Sequence, residues 1–148
     1  MTADGVGELC SMPPRATALN YVDVLQNVML PTVRNVYPEN EIPQFYYLQD
    51  NCAIHTAGVT RAWFGARPDM RLIPWPSKSP DLNPIENLWG LMVQRWSNRN
   101  ERTREAVERH CNEIWEEMRG TDICSRLVGS MRDRLQAVIE ANGGYTRY

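Results

Sequence analysis

The sequence predicts an α/β fold, and three patterns lead to that prediction. Two short apolar runs, Gln44–Leu48 and Met70–Ile73, have the length and composition of buried strands. A short helical pattern lies between them and runs to Arg67. Longer helical stripes, with apolar residues three and four positions apart, occupy both ends of the chain. Strands that alternate with helices in this way are typical of a layered domain with a parallel sheet.

The amino-terminal third contains one further strand candidate and one long helix. The segment Gly5–Met12 is the strand candidate, and the prolines that follow it end any regular element. A helix fits residues 17–37, because its apolar residues share one face: Leu19, Val22, Leu25, Met29, Val33 and Val36. Pro31 lies inside this helix, so we expect a kink or a break near Leu30.

The carboxyl-terminal half predicts three helices, which brings the total to about five. The first begins after Asn83 and carries an apolar stripe of Ile85, Leu88, Trp89, Met92 and Trp96. The second, Thr103–Met118, should bury Val107, Cys111, Ile114 and Met118. The third, Ile123–Ala141, should bury Leu127, Met131, Leu135 and Val138. Glycines follow the last two helices and mark where they stop.

Length and composition indicate one domain with an ordinary core. The chain has 148 residues, of which 43% are hydrophobic and 23% charged. No apolar run is long enough to span a membrane and no signal segment opens the chain, so we expect a soluble, intracellular protein without a membrane partner. The four cysteines form no Cys-x-x-Cys pair, which favours buried free thiols over a zinc site or disulfides.

The charge balance does not indicate an autonomous DNA-binding domain. The net charge is −2 and the pI is about 5.7, whereas such domains are usually basic. Four arginines do gather at 95, 99, 102 and 104, where they could face phosphates. Because Glu101 and Glu105 are mixed among them, we prefer a solvated helix end to a phosphate-binding patch.

Glu86 is the first candidate functional residue. It stands in the segment IPWPSKSPDLNPIENLW, where prolines lead into a helix with Asn83 as its N-cap and Pro84 at its first position. Glu86 then falls at the third position, from which a capping box could bond back to the cap. Two interpretations therefore stay open: Glu86 only caps the helix, or it is a ligand carboxylate held at a rigid place.

Asp50 is the second candidate. It follows the predicted strand Gln44–Leu48, and the carboxyl ends of such strands are where α/β domains place functional residues. Its alternative role is that of an ordinary turn residue or helix cap. His55 follows five residues later and could orient Asp50 or cap the next helix.

These two segments resemble a known family. QDNCAIHTA after a strand, followed by PWPSKSPDLNPIENLW, is similar to the second and third acidic motifs of the DDE transposases of the Tc/mariner superfamily. The 35 residues between Asp50 and Glu86 are close to that family's spacing. The resemblance covers roughly residues 5–100 and implies a ribonuclease-H-like catalytic domain.

The resemblance implies a metal site. Asp50 and Glu86 would be catalytic, metal-ligating acids for Mg²⁺ or Mn²⁺, with Asn51, His55 and Asn83 nearby in supporting positions. Two hard divalent ions would assist DNA strand cleavage and transfer, and carboxylates are the ligands that such ions prefer.

The resemblance also implies that part of the fold is missing. The family's first acid lies on an opening strand that precedes the matched segment, and Asp4 is not a credible substitute for it. We therefore expect a truncated ribonuclease-H-like fold across residues 1–148, with carboxyl-terminal helices at 103–142, two or three strands and about five helices, and the first two strands missing. Its partners would be transposon-end DNA, in the nucleus, and a second copy that pairs with an uncovered strand edge.

Without the first acid, we expect this chain alone to be catalytically inactive. The alternative function is a non-catalytic, transposon-derived module that binds nucleic acid or protein. A truncated gene model, a degraded element copy and a retained host protein all fit the sequence.

Overall fold

A computed structural model describes residues 1–96 and 102–148 and shows two parallel strands among helices. The described elements are α1 (Ala18–Val24), a π-helical turn (Leu25–Met29), α2 (Leu30–Val36), β1 (Phe45–Tyr47), α3 (Gly58–Gly65), β2 (Met70–Leu72), a 3₁₀ turn (Pro80–Leu82), α4 (Ile85–Arg95), α5 (Arg104–Met118), α6 (Ile123–Gly129) and α7 (Met131–Glu140). They fall into two units, which we call the sheet unit (Cys10–Lys78) and the helical unit (Met1–Leu9 and Ser79–Tyr148).

The predicted amino-terminal helix forms, but Pro31 does not break it near Leu30; a π-helical turn precedes the proline instead. α1, the π turn and α2 follow one another without a gap from Ala18 to Val36. Proline has no N–H, and its ring crowds the carbonyl four residues earlier. The backbone widens just before it, where the Leu30 N–H donates to Leu25 O, five residues back. The extra residue in this turn relieves the crowding without ending the helix.

The sheet of the sheet unit contains both strands that the sequence predicted. β1 and β2 run parallel, with Phe45, Tyr46 and Tyr47 opposite Met70, Arg71 and Leu72. The Ile73 N–H extends the pairing by donating to Tyr47 O at 2.9 Å. The core on one face of the sheet consists of Tyr21, Leu25, Phe64 and Met70.

The prediction of a strand at Gly5–Met12 is wrong. No strand forms there; the amino terminus has only an isolated bridge between Thr2 and Gly5. The segment is held by side chains instead. Val6 is buried in the core of the helical unit, and the Trp115 indole N–H donates to Gly7 O at 2.8 Å.

The helical unit is built around Leu88 of α4, which is completely buried. Met92, Ile114, Trp115, Met118 and Cys124 complete the core with Val6. The indole rings of Trp89 and Trp115 stack with centroids 5.6 Å apart. These apolar contacts hold α4 against α5 and thereby fix the helix that carries Glu86.

The buried face of α5 differs from the predicted one. Ala106, His110 and Trp115 are buried along with the predicted Ile114 and Met118, while Val107 is 42% exposed. An apolar pattern cannot find a face that includes a histidine. The Nε2 of His110 bonds to Met92 O at 3.2 Å, which satisfies one ring nitrogen, while Nδ1 is buried without a hydrogen-bond partner among the described residues.

The predicted helix Ile123–Ala141 is divided at Ser130 into α6 and α7. The Ser130 hydroxyl donates to Leu127 O at 2.7 Å and competes there with the helical backbone bond. The break changes which residues face inward: Leu135 is 49% exposed, whereas Arg134 is 2% exposed. Counted as continuous segments, the described residues contain six α-helical segments and two strands, close to the predicted number of about five helices and two or three strands.

Two smaller findings complete the comparison with the sequence. The four cysteines are free as predicted, but only Cys124 is buried, and Cys10 and Cys52 are exposed. None of the helices in the described residues combines the length and apolar character that a membrane crossing requires.

Candidate metal-ligating acids

Asp50 lies three residues beyond the carboxyl end of β1, in the sheet unit. Its side chain is 56% exposed, and its Oδ1 accepts a hydrogen bond from the Cys52 N–H at 3.0 Å. A bond of this kind to the second following residue forms an Asx turn, which fixes the carboxylate against its own loop. Asp50 therefore has the structural role that the sequence offered as an alternative, but that role occupies only one of its two oxygens.

His55 forms a hydrogen bond to the same oxygen of Asp50. Its Nδ1 lies 2.6 Å from Asp50 Oδ1, and its side chain is 21% exposed. An ionised carboxylate can only accept, so Nδ1 carries the proton in this pair. In the described part of the chain, Asp50 Oδ2 has no hydrogen-bond or ion-pair partner.

Tyr21 and Gln49, which the sequence analysis missed, support the hydrogen-bonded pair of His55 and Asp50. Tyr21 of α1 places its ring 4.2 Å from the His55 ring, and its hydroxyl donates to Gln49 Oε1 at 2.7 Å. Gln49 Nε2 donates in turn to His55 O at 3.2 Å. The spacing between Tyr21 and buried Leu25, one helical turn, was the available signal for Tyr21.

Burial changes the acidity of the tyrosines in this group. Tyr21 and Tyr47 place their hydroxyl oxygens 3.5 Å apart in the interior of the sheet unit. Loss of hydration raises the pKa of both phenols, because it disfavours the charged form. Both hydroxyls therefore act as neutral hydrogen-bonding groups beside the Asp50 loop at ordinary pH.

Asn51, the residue after Asp50, secures the loop from the other side. Its Nδ2 donates to Trp75 O at 2.8 Å, across the start of the proline-rich segment that follows β2. Asn51 therefore ties the Asp50 loop to the adjacent chain.

Glu86 lies in the first turn of α4, in the helical unit, and its side chain is exposed. The predicted capping box is absent: within the described residues, no hydrogen bond joins the Asn83 or Glu86 side chain to the helix start. The physical reason is the preceding 3₁₀ turn. The Asn83 N–H, which a capping-box glutamate would accept from, already donates to Pro80 O at 2.9 Å.

The helix start is secured by another residue that the sequence analysis missed. Buried Arg134 donates to Asn87 Oδ1 at 2.8 Å and to Asp81 O at 2.7 Å. It therefore bridges α7, the 3₁₀ turn and the first turn of α4, next to Glu86. A helical stripe in which an arginine takes an inward position gives no apolar signal, so periodicity could not identify it.

Two arginines of the predicted cluster are paired with carboxylates. Arg95 Nη1 lies 2.5 Å from a Glu117 oxygen, and Arg104 Nε lies 2.7 Å from a Glu108 oxygen. Arg102 is exposed, and Arg99 and Glu101 lie outside the described residues. These ion pairs favour the interpretation as a solvated helix end.

The chemistry of the two acids fits a hard divalent cation, but two acids are not a complete site. Asp50 keeps one free oxygen and Glu86 is released from capping, and both offer the oxygen ligands that Mg²⁺ and Mn²⁺ prefer. Across residues 1–96 and 102–148, however, no group of three or more His, Cys, Asp or Glu side chains could hold a metal ion together.

Sequence comparison connects the chain to known proteins. The profile of the DDE superfamily endonucleases matches residues 8–108. The Tc1 transposase of Caenorhabditis elegans is 35% identical over 140 residues, which are 93% of this chain and 50% of that protein. The chain spans half or less of the length of the curated relatives it matches.

Structural comparison agrees on the fold. The Mos1 mariner transposase catalytic domain, solved with raltegravir and Mn, matches with a TM-score of 0.83 at 22% identity, over 98% of this chain and 74% of that one. The same domain has also been solved with Mg. The Mos1 transposase paired-end complex with left transposon end matches with a TM-score of 0.79 at 20% identity, over 97% of this chain and 42% of that one.

These matches confirm the ribonuclease-H-like fold class that the two acidic motifs predicted. The profile match includes both Asp50 and Glu86 and more than half of the chain. The chain therefore belongs to the DDE superfamily endonucleases, within the Tc/mariner superfamily of transposases.

Proposed function

We propose that this chain contributes to metal-dependent cleavage and transfer of DNA strands, with Asp50 and Glu86 as two of the metal-ligating acids. The observation that carries the proposal is the arrangement at Asp50. Within a segment matched by the DDE profile, His55 and the Cys52 N–H hold one carboxylate oxygen after a sheet strand and leave the other free. A carboxylate that is restrained but not neutralised is suited to bind a cation.

Glu86 supplies the second argument. A glutamate in the first turn of a helix usually has a capping role, but here the 3₁₀ turn has taken over that role. Its charge is therefore available, while the buried anchors Leu88 and Arg134 fix the backbone that carries it.

The metal would be Mg²⁺ or Mn²⁺, and the DNA partner would be a transposon end. The Mos1 structures with Mn, with Mg and with left transposon end support both parts of the proposal. When bound, such ions activate the attacking oxygen and stabilise the leaving oxygen of the phosphodiester. The site of action would then be the nucleus.

A third ligand is needed for tight binding. Because the described residues contain no cluster of three ligating side chains, we propose that the 148-residue polypeptide binds Mn²⁺ only weakly and does not cleave DNA by itself. Cleavage would require a further carboxylate supplied from outside these residues.

The test combines metal binding with strand cleavage. Free Mn²⁺ is measured by electron paramagnetic resonance during titration of the parent, Asp50→Asn, Glu86→Gln and Glu105→Gln. Glu105 is the matched control because it is another exposed glutamate in the first turn of a helix of the helical unit. We expect millimolar binding in the parent and the control and its loss in the other two variants.

Plasmid DNA with element ends provides the second readout. We expect no nicking or joining by the parent polypeptide with Mg²⁺ or Mn²⁺. Equal Mn²⁺ binding by all four proteins would refute the assignment of the acids. Cleavage by the parent that disappears in Asp50→Asn would support the assignment of Asp50 as a catalytic acid. It would refute the proposal that a further carboxylate from outside these residues is required. DNA binding without any dependence on Asp50, Glu86 or metal would favour the non-catalytic module instead.

A further inference from the structure

Tyr21 connects the long amino-terminal helix to the ring and to the backbone of His55. Its ring packs against the His55 ring with centroids 4.2 Å apart and planes inclined by 39°. Its hydroxyl reaches Gln49, whose amide nitrogen bonds to the backbone oxygen of His55. Tyr21 thus contacts the imidazole directly and its backbone through one intermediate side chain.

These two contacts determine how His55 meets Asp50. The outer torsion of a histidine side chain is broad and roughly two-fold, so the backbone alone does not fix which ring nitrogen faces a partner. The Tyr21 ring limits the rotation of the imidazole, and the Gln49 bond limits the loop beneath it. Nδ1 is thereby held 2.6 Å from Asp50 Oδ1.

The consequence for Asp50 is that its oxygens become unequal. Oδ1 accepts from both Cys52 N and His55 Nδ1, which satisfies its two lone pairs. Oδ2 has neither contact. A cation that approaches Asp50 would therefore meet a single available oxygen in a fixed direction.

Core packing alone does not require this arrangement. Tyr21 also contributes to the apolar core with Leu25 and Phe64, and a phenylalanine would fill that place. The hydroxyl is what distinguishes Tyr21, because burial is costly for a hydroxyl that has no acceptor. Its acceptor here is the side chain of Gln49, the residue next to Asp50.

We propose that Tyr21 is a positioning residue for Asp50: through His55 and Gln49 it saturates Oδ1 and leaves Oδ2 as a one-oxygen ligand for a divalent cation. The last step rests on the proposed function, whereas the positioning of His55 does not.

The first measurement concerns positioning and needs no metal. The chain has two histidines, so ¹⁵N-histidine labelling gives two ring-nitrogen patterns, and the one lost in His55→Asn belongs to His55. We expect the parent and Tyr21→Phe, which keeps the aromatic ring, to show the Nδ1-protonated form of His55. We expect Tyr21→Leu to show a mixture of both tautomers.

The second measurement is Mn²⁺ affinity by electron paramagnetic resonance. Loss of an outer partner of a ligand typically weakens metal binding by about tenfold or more, so Tyr21→Leu should raise the Mn²⁺ dissociation constant about tenfold. Tyr21→Phe should raise it less. His55→Asn, whose amide can replace the Nδ1 donor, should retain the affinity, and His55→Gln should not. Tyr46→Phe, which removes an exposed hydroxyl from β1, is the control and should change neither readout.

The two measurements separate the two proposals. If the parent binds no Mn²⁺, the proposed function fails, and the tautomer of His55 alone decides the positioning role. If Tyr21→Leu does not fold, Tyr21→Met replaces it, because that change also removes the aromatic ring and the hydroxyl but fills more of the buried space. An unchanged His55 tautomer in the folded replacement, or equal weakening of Mn²⁺ binding in Tyr46→Phe, would overturn the inference.

Discussion

At the scale of single residues, the backbone hydrogen bonds at the start of α4 decide whether Glu86 caps that helix. The Asn83 N–H is satisfied by Pro80 O, so the glutamate carboxylate has no capping work. The start of α5 differs from that of α4, because the Thr103 hydroxyl accepts a hydrogen bond from the Ala106 N–H at 3.2 Å and so caps the helix. One helix is thus capped by a side chain and the other by the turn before it.

Glu86→Gln should therefore have little effect on stability without metal. We expect the free energy of unfolding to fall by at most about 0.5 kcal/mol, because only the attraction between the charge and the helix amino terminus is lost. Thr103→Ala should cost about 1 kcal/mol as the matched loss of a cap. Urea denaturation measures both, and a larger loss for Glu86→Gln than for Thr103→Ala would show that the carboxylate holds the helix start.

Two buried phenols should make the sheet unit sensitive to alkali. Burial raises the pKa of Tyr21 and Tyr47 in the folded state above the unfolded value of about 10. The folded state therefore holds these protons more tightly, and its stability is fully present below pH 10 and lost as the pH rises further. Each phenol should contribute a slope of at most about 1.4 kcal/mol per pH unit, between its unfolded and its folded pKa.

Tyr47→Phe tests this linkage. It should remove one of the two contributions and so make the slope of the unfolding free energy above pH 10 less steep, by up to about 1.4 kcal/mol per pH unit. Urea denaturation at a series of pH values, followed by circular dichroism, gives the slope. An identical slope in parent and variant would show that Tyr47 does not stay protonated in the folded state.

At the scale of elements, Arg134 joins three parts of the helical unit. Its Nε donates to Ser130 Oγ at 2.8 Å, and its two terminal nitrogens reach Asp81 O and Asn87 Oδ1. Its guanidinium also lies 4.8 Å from the centre of the Tyr148 ring. α7 therefore controls the position of the 3₁₀ turn and of the start of α4 through one buried side chain.

Arg134→Met should destabilise the helical unit by about 3 kcal/mol, since three partly buried hydrogen bonds of one buried side chain are lost together. Arg134→Lys should recover little of the loss, because an ammonium group cannot reproduce the planar fork of donors. Arg132→Met, an exposed change in the same helix, is the control and should stay within about 0.5 kcal/mol of the parent. Urea denaturation followed by tryptophan fluorescence measures all three, and equal effects at 132 and 134 would contradict the bridging role.

At the scale of the whole molecule, the small sheet leaves strand edges unpaired. Among the described residues β1 and β2 pair only with each other, and Tyr46 of β1 is 71% exposed. Unpaired edges beside exposed apolar side chains invite pairing with another chain. We therefore propose that the isolated polypeptide self-associates through this sheet.

Tyr46→Lys should reduce that self-association, because a charge at a strand edge opposes pairing. Val93→Lys is the control: Val93 is 73% exposed but lies on α4 and not on a strand. Size-exclusion chromatography with light scattering gives the mass of each protein. A monodisperse monomer for the parent, or equal loss of association in both variants, would contradict the proposal.

The sequence by itself predicted the family, two candidate acids and most of the elements. Apolar runs placed β1 and β2 within a residue or two, and helical periodicity found the helices. Pro31 marked the place where the first helix departs from α geometry, although a π turn forms there and not the predicted kink or break. The acidic motifs made Asp50 and Glu86 the candidates because the flanking residues are characteristic as a set. These signals are local, so a linear pattern records them.

The tertiary structure alone decided which polar groups are buried and what each acid is bonded to. Apolar patterns missed Arg134, His110 and Tyr21, because polar side chains are stable inside only when distant parts of the chain supply their hydrogen-bond partners. The strand predicted at Gly5–Met12 fails for the same reason, because the distant side chain of Trp115 bonds to Gly7 O. The break at Ser130 and the missing capping box at Glu86 are different: they come from local bonds, of the Ser130 hydroxyl to Leu127 O and of the Asn83 N–H to Pro80 O, that apolar periodicity does not record.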